Sequence, residues 1–394
     1  MLDLTDLPVV DVHCHPFLNK GAVTPEQFTD MTAFGGGSRE YMEEGGVGFS
    51  AEVHEELQRT KRDTLYFRRM LRDLAGFFGV EHGLGTVLQK RNRAVEEDYT
   101  GYVRRLYEDA GITTLVPDFG NPLPSLDSDV DRAEMPVEIV PVFRIEPLIS
   151  ELLELDIGPT EFLNRFDEAV SGALASGRYK GLKSVIAYRT GLDVSPLSRA
   201  RDQGYEAVDA IRRGIGGNAT KKLRDHLLCR SMELSMEHEV PMQIHTGMGD
   251  REVNLLYCRP AYLMNLLRFP TFRSCRVLLV HAGYPYHREA GYMANVLPRV
   301  YCDLSEGIPF AGQAAKRIVS EVLEMAPLSK VVYGSDGYTL PEINYTGAKL
   351  GKQALAGVLE DLVLDGALSE VEALQAAGVV LSDNARELYR LDQH

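Results

Sequence analysis

The sequence lacks the features of a membrane or secreted protein. No apolar run approaches the ~20 residues that a membrane span requires, and the first residues, MLDLTDLPVV, contain neither a basic region nor a cleavage site. The five cysteines are odd in number and scattered, without a CxxC pair, which is typical of reduced thiols. We therefore expect a cytoplasmic protein with no membrane partner.

Positive charge is also scarce. The chain has 42 Lys and Arg against 57 Asp and Glu, a formal net charge of −15. Binding to a nucleic-acid backbone calls for basic patches, so this balance argues against a nucleic-acid partner. No internal repeat or low-complexity tract is present. These absences leave a small molecule as the expected partner.

What the sequence does contain is a series of short apolar runs. With 394 residues, of which 44% are apolar and 25% charged, the chain can bury one large core. Eight runs are typical of buried parallel strands: residues 8–13, 112–117, 137–143, 180–187, 240–245, 277–281, 300–304 and 330–335. Helical patterns lie between most of them, as in residues 219–238, where apolar positions recur every three or four residues. The alternation predicts an α/β fold, a single-domain (β/α)8 TIM barrel over residues 1–394.

One interval is far longer than a barrel requires. Residues 16–111 separate the first two runs, where a loop and one helix would need about 20–30 residues. The interval begins with a Gly-rich stretch and continues with helical patterns near 51–78 and 94–110. A segment that follows the carboxyl end of a strand emerges on the face where barrels carry their active sites. We therefore expect a helical insertion that forms a lid, the alternative being a helical decoration that only packs.

Histidines and one aspartate stand where apolar runs end. His13 and His15 are two apart, so on an extended strand both face one side. His245 ends VPMQIH, His281 ends VLLVH, and Asp336 follows KVVYGS. Imidazole and carboxylate ligands from neighbouring strand ends suit a zinc-like divalent ion. A lone histidine here would more often be a hydrogen-bonded core residue, and a lone aspartate a helix cap, but the shared pattern favours a metal site.

Lys183 lies within the otherwise apolar fourth run, GLKSVIAYR, where an unpaired ammonium would be costly. Three explanations are open at this point: a carbamate that bridges two metals, a contact with a substrate carboxylate or phosphate, or a plain salt bridge. Tyr188 and Arg189, at the end of the same run, are candidates to hold a substrate carbonyl or carboxylate.

These residues resemble the amidohydrolase superfamily, with HCHP after strand one, Lys183 on strand four, His245 on strand five, His281 on strand six and Asp336 on strand eight. More narrowly, GLKSVIAYRTGL, PMQIHTGMGD, HAGYPYHREAGYMANVLPRVYCDLS and YGSDGYTLPE are similar to the amidohydrolase-2 domain of FluG and nodulin-type proteins. In those proteins a glutamine-synthetase-like domain follows. No such domain follows here, so we expect a free-standing version.

The resemblance implies a barrel with one or two divalent ions, usually zinc, and metal-bound hydroxide that attacks an amide or ester carbonyl. It assigns a first metal to His13, His15 and Asp336, and a second to His245 and His281, with Lys183 as the bridging carbamate. In single-metal relatives His245 joins the first metal, and His281 polarises the substrate or orients water.

The resemblance also suggests three catalytic groups and a tyrosine that contacts the substrate. Asp336 would take a proton from the bound water and pass it to the leaving nitrogen, with His281 and Lys183 as further catalytic groups. The spacing of Lys183 and Tyr188 is similar to that of binuclear cyclic-amide hydrolases, which use the tyrosine at the oxyanion. This similarity favours two ions.

The leading hypothesis is a hydrolase that acts on C–N bonds other than peptide bonds, in a small carboxylate-bearing substrate such as a γ-glutamyl amide. Arg144, Arg189 and Arg251 are candidates for the carboxylate, because arginine binds carboxylates with two hydrogen bonds. The alternatives are a single-metal non-oxidative decarboxylase or other lyase, and a non-catalytic scaffold. The exact substrate, the metal and the oligomeric state stay open; such barrels are frequently homo-oligomers.

Overall fold

A computed structural model gives the architecture. It describes residues 2–17, 21–34, 42–44, 46, 48, 50–120, 135–215 and 217–392. Ten strands lie within these ranges: β1 Val9–Phe17, β2 Ile112–Pro117, β3 Glu138–Ile139, β4 Phe143–Arg144, β5 Leu182–Ser184, β6 Met242–His245, β7 Val277–Val280, β8 Val300–Asp303, β9 Val331–Val332 and β10 Gly337–Thr339.

The strands pair in parallel and follow one another in chain order. β1 pairs with β2 and β2 with β3, and β4 to β9 pair in succession. β3 and β4 are two halves of one barrel position, which a bridge between Asp118 and Val142 connects to β2. β9 and β10 likewise share the last position, since β9 pairs with β8 and β10 with β1. The ladder therefore returns to its first strand, and the eight positions form the (β/α)8 barrel that the sequence predicts.

Sixteen α-helices cover this barrel within the described residues. They are α1 Pro25–Thr32, α2 Ala51–Arg62, α3 Leu65–Phe78, α4 Leu84–Ala110, α5 Ile145–Glu154, α6 Pro159–Ala175, α7 Ile186–Arg189, α8 Arg201–Arg212, α9 Ala219–Glu237, α10 Met264–Arg268, α11 His287–Val296, α12 Gly307–Ala311, α13 Ala315–Leu323, α14 Pro341–Leu364, α15 Glu370–Gly378 and α16 Asn384–Tyr389. Among these described helices none is both long and apolar enough to cross a bilayer.

The amino end of the barrel is closed by α16. Tyr389 packs among interior valines of the strands, and its hydroxyl accepts a hydrogen bond of 2.7 Å from Gln243 Nε2. The same amide donates to the carbonyl of Val12 at 2.9 Å. With this end filled, a cavity among the strands can open only at their carboxyl ends, where the predicted metal ligands lie.

Two expectations about strand length need correction. The fourth run, predicted as a strand over 180–187, is a strand only at Leu182–Ser184, and the chain then turns into the short helix α7. Its apolar residues are too few to distinguish a strand from a buried helical turn. The third run, 137–143, is split between β3 and β4.

The long interval after β1 contains α1 to α4. The pattern over 51–78 is two helices rather than one, α2 and α3. On α3 one apolar face is buried at Phe67, Met70, Leu71 and Leu74, whereas Leu65 is 62% exposed. Most of the Gly-rich stretch, residues 35–41, 45, 47 and 49, lies outside the described residues. The role of this segment as a lid stays a prediction.

A buried ion pair connects this inserted segment to the barrel. Arg91 on α4 lies 2.7 Å from Glu342 on α14, and both side chains are fully buried. Tyr102 donates a hydrogen bond of 2.8 Å to the same carboxylate oxygen. Since α14 follows β10 directly, the pair ties the insertion to the last barrel position.

We predict that Arg91→Ala lowers the free energy of unfolding by about 3–5 kcal/mol, because it leaves Glu342 buried without its counter-ion. Arg93, on the same helix, pairs with Glu97 at the surface, with side chains 75% and 62% exposed. The control Arg93→Ala should cost at most about 0.5 kcal/mol. Urea unfolding of both variants measures the difference. Equal losses of unfolding free energy would contradict the role of the buried pair in tying the insertion to the barrel.

Candidate metal centre

A cavity of about 390 Å³ opens at the carboxyl ends of the strands. Its lining includes every residue that the sequence predicts as a metal ligand: His13, His15, Lys183, His245, His281 and Asp336. A larger groove of about 1070 Å³ runs along α2, but it is an open surface lined by charged side chains and contains none of these residues. The chemistry therefore belongs to the smaller cavity.

Three ligand atoms from the first and last barrel positions converge. Asp336 Oδ1 lies 3.2 Å from His13 Nε2 and 3.4 Å from His15 Nε2. Alternation along β1 brings both imidazoles to one side, and Asp336 is held beside them because its N–H donates to the carbonyl of His13 at 2.8 Å. His281 joins this group, since one ligand atom each from His13, His281 and Asp336 lies within 4.8 Å of the others.

The tautomer of His15 follows from its neighbour. His15 Nδ1 lies 3.2 Å from the carbonyl oxygen of Asp118. A carbonyl can only accept, so Nδ1 carries the hydrogen and Nε2 keeps its lone pair. That lone pair faces Asp336, which is the arrangement of a metal-ligating histidine held by a backbone carbonyl.

A longer chain of hydrogen bonds fixes His281. Ser305 Oγ donates to Asp303 Oδ1 at 2.7 Å and lies 2.9 Å from His281 Nδ1. Because the serine proton is committed to the carboxylate, His281 Nδ1 donates to the serine oxygen. Its Nε2 lone pair then points at His245 Nδ1, 3.1 Å away. His245 Nδ1 therefore donates to this lone pair, and His245 Nε2 keeps a free lone pair of its own.

Burial keeps three of the four imidazoles neutral, while at His15 the Asp336 carboxylate outweighs burial and raises the pKa. Burial lowers the pKa of His13 to about 4 and holds the pKa values of His245 and His281 well below the usual range. Neutral imidazole is the form that binds a metal, so the site needs no deprotonation at these three positions. Two buried atoms among the described residues, His13 Nδ1 and His245 Nε2, have no hydrogen-bond partner.

Asp336 supplies negative charge at the same point. Burial alone would raise its pKa, but the close contacts with the His13 and His15 rings, together with His281 nearby, hold the pKa well below its usual range. A charged carboxylate, two directed Nε2 lone pairs and a second imidazole pair form a donor set suited to a divalent ion such as zinc. The residues present therefore fit the metal that the strand-end pattern predicts.

Lys183 is 1% exposed, and its Nζ lies 3.2 Å from His13 Nε2. Burial lowers its pKa to about 8, even though the carboxylates of Asp118 and Asp336 act in the opposite direction. The ammonium has no salt bridge to a carboxylate within 4.0 Å among the described residues, so the plain salt-bridge explanation lacks a partner. The other two explanations remain predictions.

The backbone at the strand ends is strained. Five residues other than glycine have positive φ next to the proposed ligands or among them: His281 at 69°, Ala282 at 46°, Glu306 at 56°, Asp336 at 57° and Thr339 at 60°. Such conformations are costly for residues with a Cβ, and they cluster at functional sites. Here they follow β7 and β8 and flank β10, at the rim of one cavity.

The predicted substrate residues separate into two groups. Arg144, Tyr188 and Arg189 line the cavity. Arg144 lies 3.3 Å from Asp118 Oδ2, and the Tyr188 ring packs edge-on against His245 with centroids 4.6 Å apart. Arg251 does not line it; its guanidinium binds Glu44 with contacts of 2.8 and 2.9 Å. A contact between Arg251 and substrate therefore has no support from its position.

Sequence reasoning missed several residues of the cavity and its support. Asp118, Asp303, Ser305 and Glu306 also stand directly after apolar runs, so the criterion applied to the histidines would have found them. Phe34 lines the cavity from the inserted segment, a position that no local pattern indicates.

Two other buried histidines lie away from this cavity. His226 is 3% exposed, and its Nδ1 donates to the carbonyl of Ser198 at 2.8 Å. His287 lies outside the cavity lining and pairs with Glu321. Neither belongs to the metal centre.

Comparison with known proteins identifies the family. A family model described as Amidohydrolase, that of amidohydrolase-2, matches residues 163–391, more than half of the chain. The chain belongs to the amidohydrolase-2 family. Protein FluG of Emericella nidulans is 32% identical over an alignment of 365 positions that covers 84% of this chain and 41% of FluG. This amidohydrolase thus spans less than half the length of the curated relative it matches.

Solved structures show the same fold. A Lactobacillus casei protein classed among metal-dependent hydrolases superposes with a TM-score of 0.83 at 22% identity, over 99% of this chain and 96% of its own. The uronate isomerase of Thermotoga maritima gives a TM-score of 0.68 at 14% identity, over 98% and 95%. At these identities the likeness concerns the amidohydrolase barrel alone.

We predict that Ser305→Ala lowers zinc affinity by about 10–100-fold, because His281 loses the acceptor that fixes its tautomer. Ser231 is a matched control, since it is also buried but donates to the carbonyl of Leu227 on α9. Ser231→Ala should leave zinc affinity unchanged. Competition with a chromophoric chelator measures both, and an unchanged affinity in Ser305→Ala would show that His281 does not bind the metal.

Proposed function

We propose that this amidohydrolase is a metal-dependent hydrolase that cleaves an amide C–N bond in a small carboxylate-bearing substrate. The observation that carries the proposal is the convergence of His13, His15 and Asp336 in a cavity that also contains Arg144. A metal centre beside an arginine suits a substrate with a reactive carbonyl and a carboxylate. γ-Glutamyl amides meet this description, and the resemblance to proteins that carry a glutamine-synthetase-like domain favours them.

Zinc is the proposed metal. His13, His15 and Asp336 would hold one ion, and His245 and His281 a second, with Lys183 as a bridging carbamate when two are present. When bound, a divalent ion supplies a Lewis acid and lowers the pKa of water from 15.7 to about 7. We also place the protein in the cytoplasm, in keeping with five buried cysteines that form no disulfide.

Asp336 is the proposed proton carrier. Its pKa lies well below the usual range, so the carboxylate is charged at neutral pH and can accept a proton. Its backbone conformation, with φ at 57°, holds the carboxylate against the two β1 histidines. From there Asp336 would receive a proton from the attacking water and return it to the leaving nitrogen.

Tyr188 and the arginines would orient the substrate. The Tyr188 oxygen accepts a hydrogen bond of 2.9 Å from the N–H of Asp250, so its own hydrogen is available for a substrate carbonyl oxygen. Such a donor stabilises the charge that develops on that oxygen. Arg144 and, nearer the solvent, Arg189 would bind the carboxylate.

The inserted segment would cover the site. Phe34 lines the cavity and packs against Phe310 on α12, with ring centroids 5.0 Å apart. Tyr66 also packs against Phe310, with ring centroids 4.7 Å apart, and Tyr338 donates to the carbonyl of Ala33 at 3.1 Å. These contacts support the proposed lid, which would exclude bulk water during the reaction.

We predict that the zinc-loaded protein releases an amine and a carboxylic acid from a panel of γ-glutamyl amides. Lys183→Ala should bind one zinc fewer per chain and lose more than about 100-fold in kcat/KM, because the bridging ligand is gone. Lys222→Ala, at an exposed position on α9, is the control and should match the wild-type protein. Metal analysis and amine release by chromatography give both readouts.

Two results would redirect the proposal. One zinc per chain that Lys183→Ala leaves unchanged would assign the protein to the single-metal branch. Release of CO₂ from carboxylated substrates, without any cleavage of amides, would replace the hydrolase with the decarboxylase alternative.

A further inference from the structure

Glu306 is a cavity residue that the proposed chemistry does not use. It follows β8 and lines the cavity, yet it is only 2% exposed. Its Oε2 has no hydrogen-bond partner among the described residues. His281 Nδ1 lies 3.5 Å away, but its hydrogen is already donated to Ser305. The cavity therefore contains a buried carboxyl oxygen without a partner.

The backbone that positions this side chain is strained. Glu306 has φ 56° and ψ −53°, and the N–H of Gly307 donates to the carbonyl of Ser305 at 2.5 Å. This is a γ-turn of the rare, strained hand, centred on a residue with a large side chain. Glycine would adopt the positive φ at lower cost, so the turn points to a role for the carboxyl group.

The position of Glu306 in the barrel gives the cavity two charged walls: one carries Arg144, which also pairs with Asp118 at 3.3 Å, and the other carries Glu306. Arg144 ends the third barrel position and Glu306 follows the seventh, four positions apart in a ring of eight. They therefore stand on opposite sides of the metal ligands. Asp250 and Glu252, from the loop after β6, also line the cavity and add negative charge near its mouth.

We propose that Glu306 is a specificity-determining residue that binds a protonated amine of the substrate. The substrate would then carry a carboxylate toward Arg144 and an ammonium group toward Glu306, with the scissile amide between them. The proposal depends on the proposed function only for the identity of the cleaved bond. The two charged walls are features of the cavity itself.

An ammonium group suits this position better than a neutral donor. Leaving a carboxylate buried without a counter-ion is unfavourable, so a substrate cation gains more here than it would at the surface. An ammonium group also offers three N–H donors to the Glu306 carboxyl oxygen that has no hydrogen-bond partner. A hydroxyl group would supply one hydrogen bond and no charge.

The test uses ligands that need no turnover. The zinc-loaded protein is titrated by calorimetry with 4-aminobutyrate, 5-aminovalerate and 6-aminohexanoate, and with their isosteres pentanoate, hexanoate and heptanoate, in which a methyl group replaces the ammonium. At least one amino compound should bind about tenfold tighter than its isostere, the gain of a charge-assisted hydrogen bond. Equal affinity across every pair would overturn the proposal on the wild-type protein alone.

Variants then assign the preference to Glu306. Glu306→Gln keeps the shape but not the charge and should abolish the preference, whereas Glu306→Asp should retain part of it. Glu324→Gln removes the same charge from an exposed position that does not line the cavity and should behave as wild type. A preference that survives Glu306→Gln would overturn the proposal. So would a loss of zinc affinity with the preference intact, because Glu306 would then only position His281.

The two proposals fail separately. If no amide is cleaved while the amino compounds still bind preferentially, the hydrolase proposal fails and the cation site stands. If amides are cleaved with no preference for an ammonium group, the cation site fails alone.

Discussion

Nitrogen and oxygen lone pairs that meet in a buried cavity repel one another unless a cation or a proton lies between them. At the carboxyl end of this barrel, Asp336 Oδ1 faces two imidazole Nε2 atoms at 3.2 and 3.4 Å. Burial disfavours protonation of His13, whereas at His15 the Asp336 carboxylate outweighs burial and raises the pKa, so a proton relieves only part of this repulsion. A divalent ion removes the repulsion, and this requirement explains most of the architecture around it.

Two separate buried carboxylates beneath the ligands hold the metal-binding strand ends together. Asp11 lies in β1 and accepts hydrogen bonds from the N–H of Ser335 at 2.8 Å and from Asn344 at 3.0 Å, which ties the HxH strand to the Asp336 segment. Asp303 accepts from the N–H of His281 at 2.7 Å and from Ser305. Each buried carboxylate thus joins two neighbouring strand ends, and the ligands are positioned before any metal binds.

Much of this could be predicted from the sequence. Apolar runs that end in a polar residue locate a buried strand and its exposed end together, so the fold and the strand-end histidines followed from one pattern. The same pattern is present at CDLSEG, where Glu306 lies, but no histidine there marks the run as part of a metal site. The sequence places Tyr188 at the end of a strand, because the helical turn of α7 is too short to show a period. Arg251 could not be judged, since Glu44, its partner, is 207 residues away.

The central claim is that one ion binds where the first and last strands of the barrel meet. The most direct measurement is X-ray diffraction at the zinc absorption edge, on crystals of the protein reconstituted with zinc. We expect an anomalous peak in contact with His13, His15 and Asp336. A protein that takes up no zinc, or a peak located elsewhere with these three side chains still in contact with one another, would contradict it.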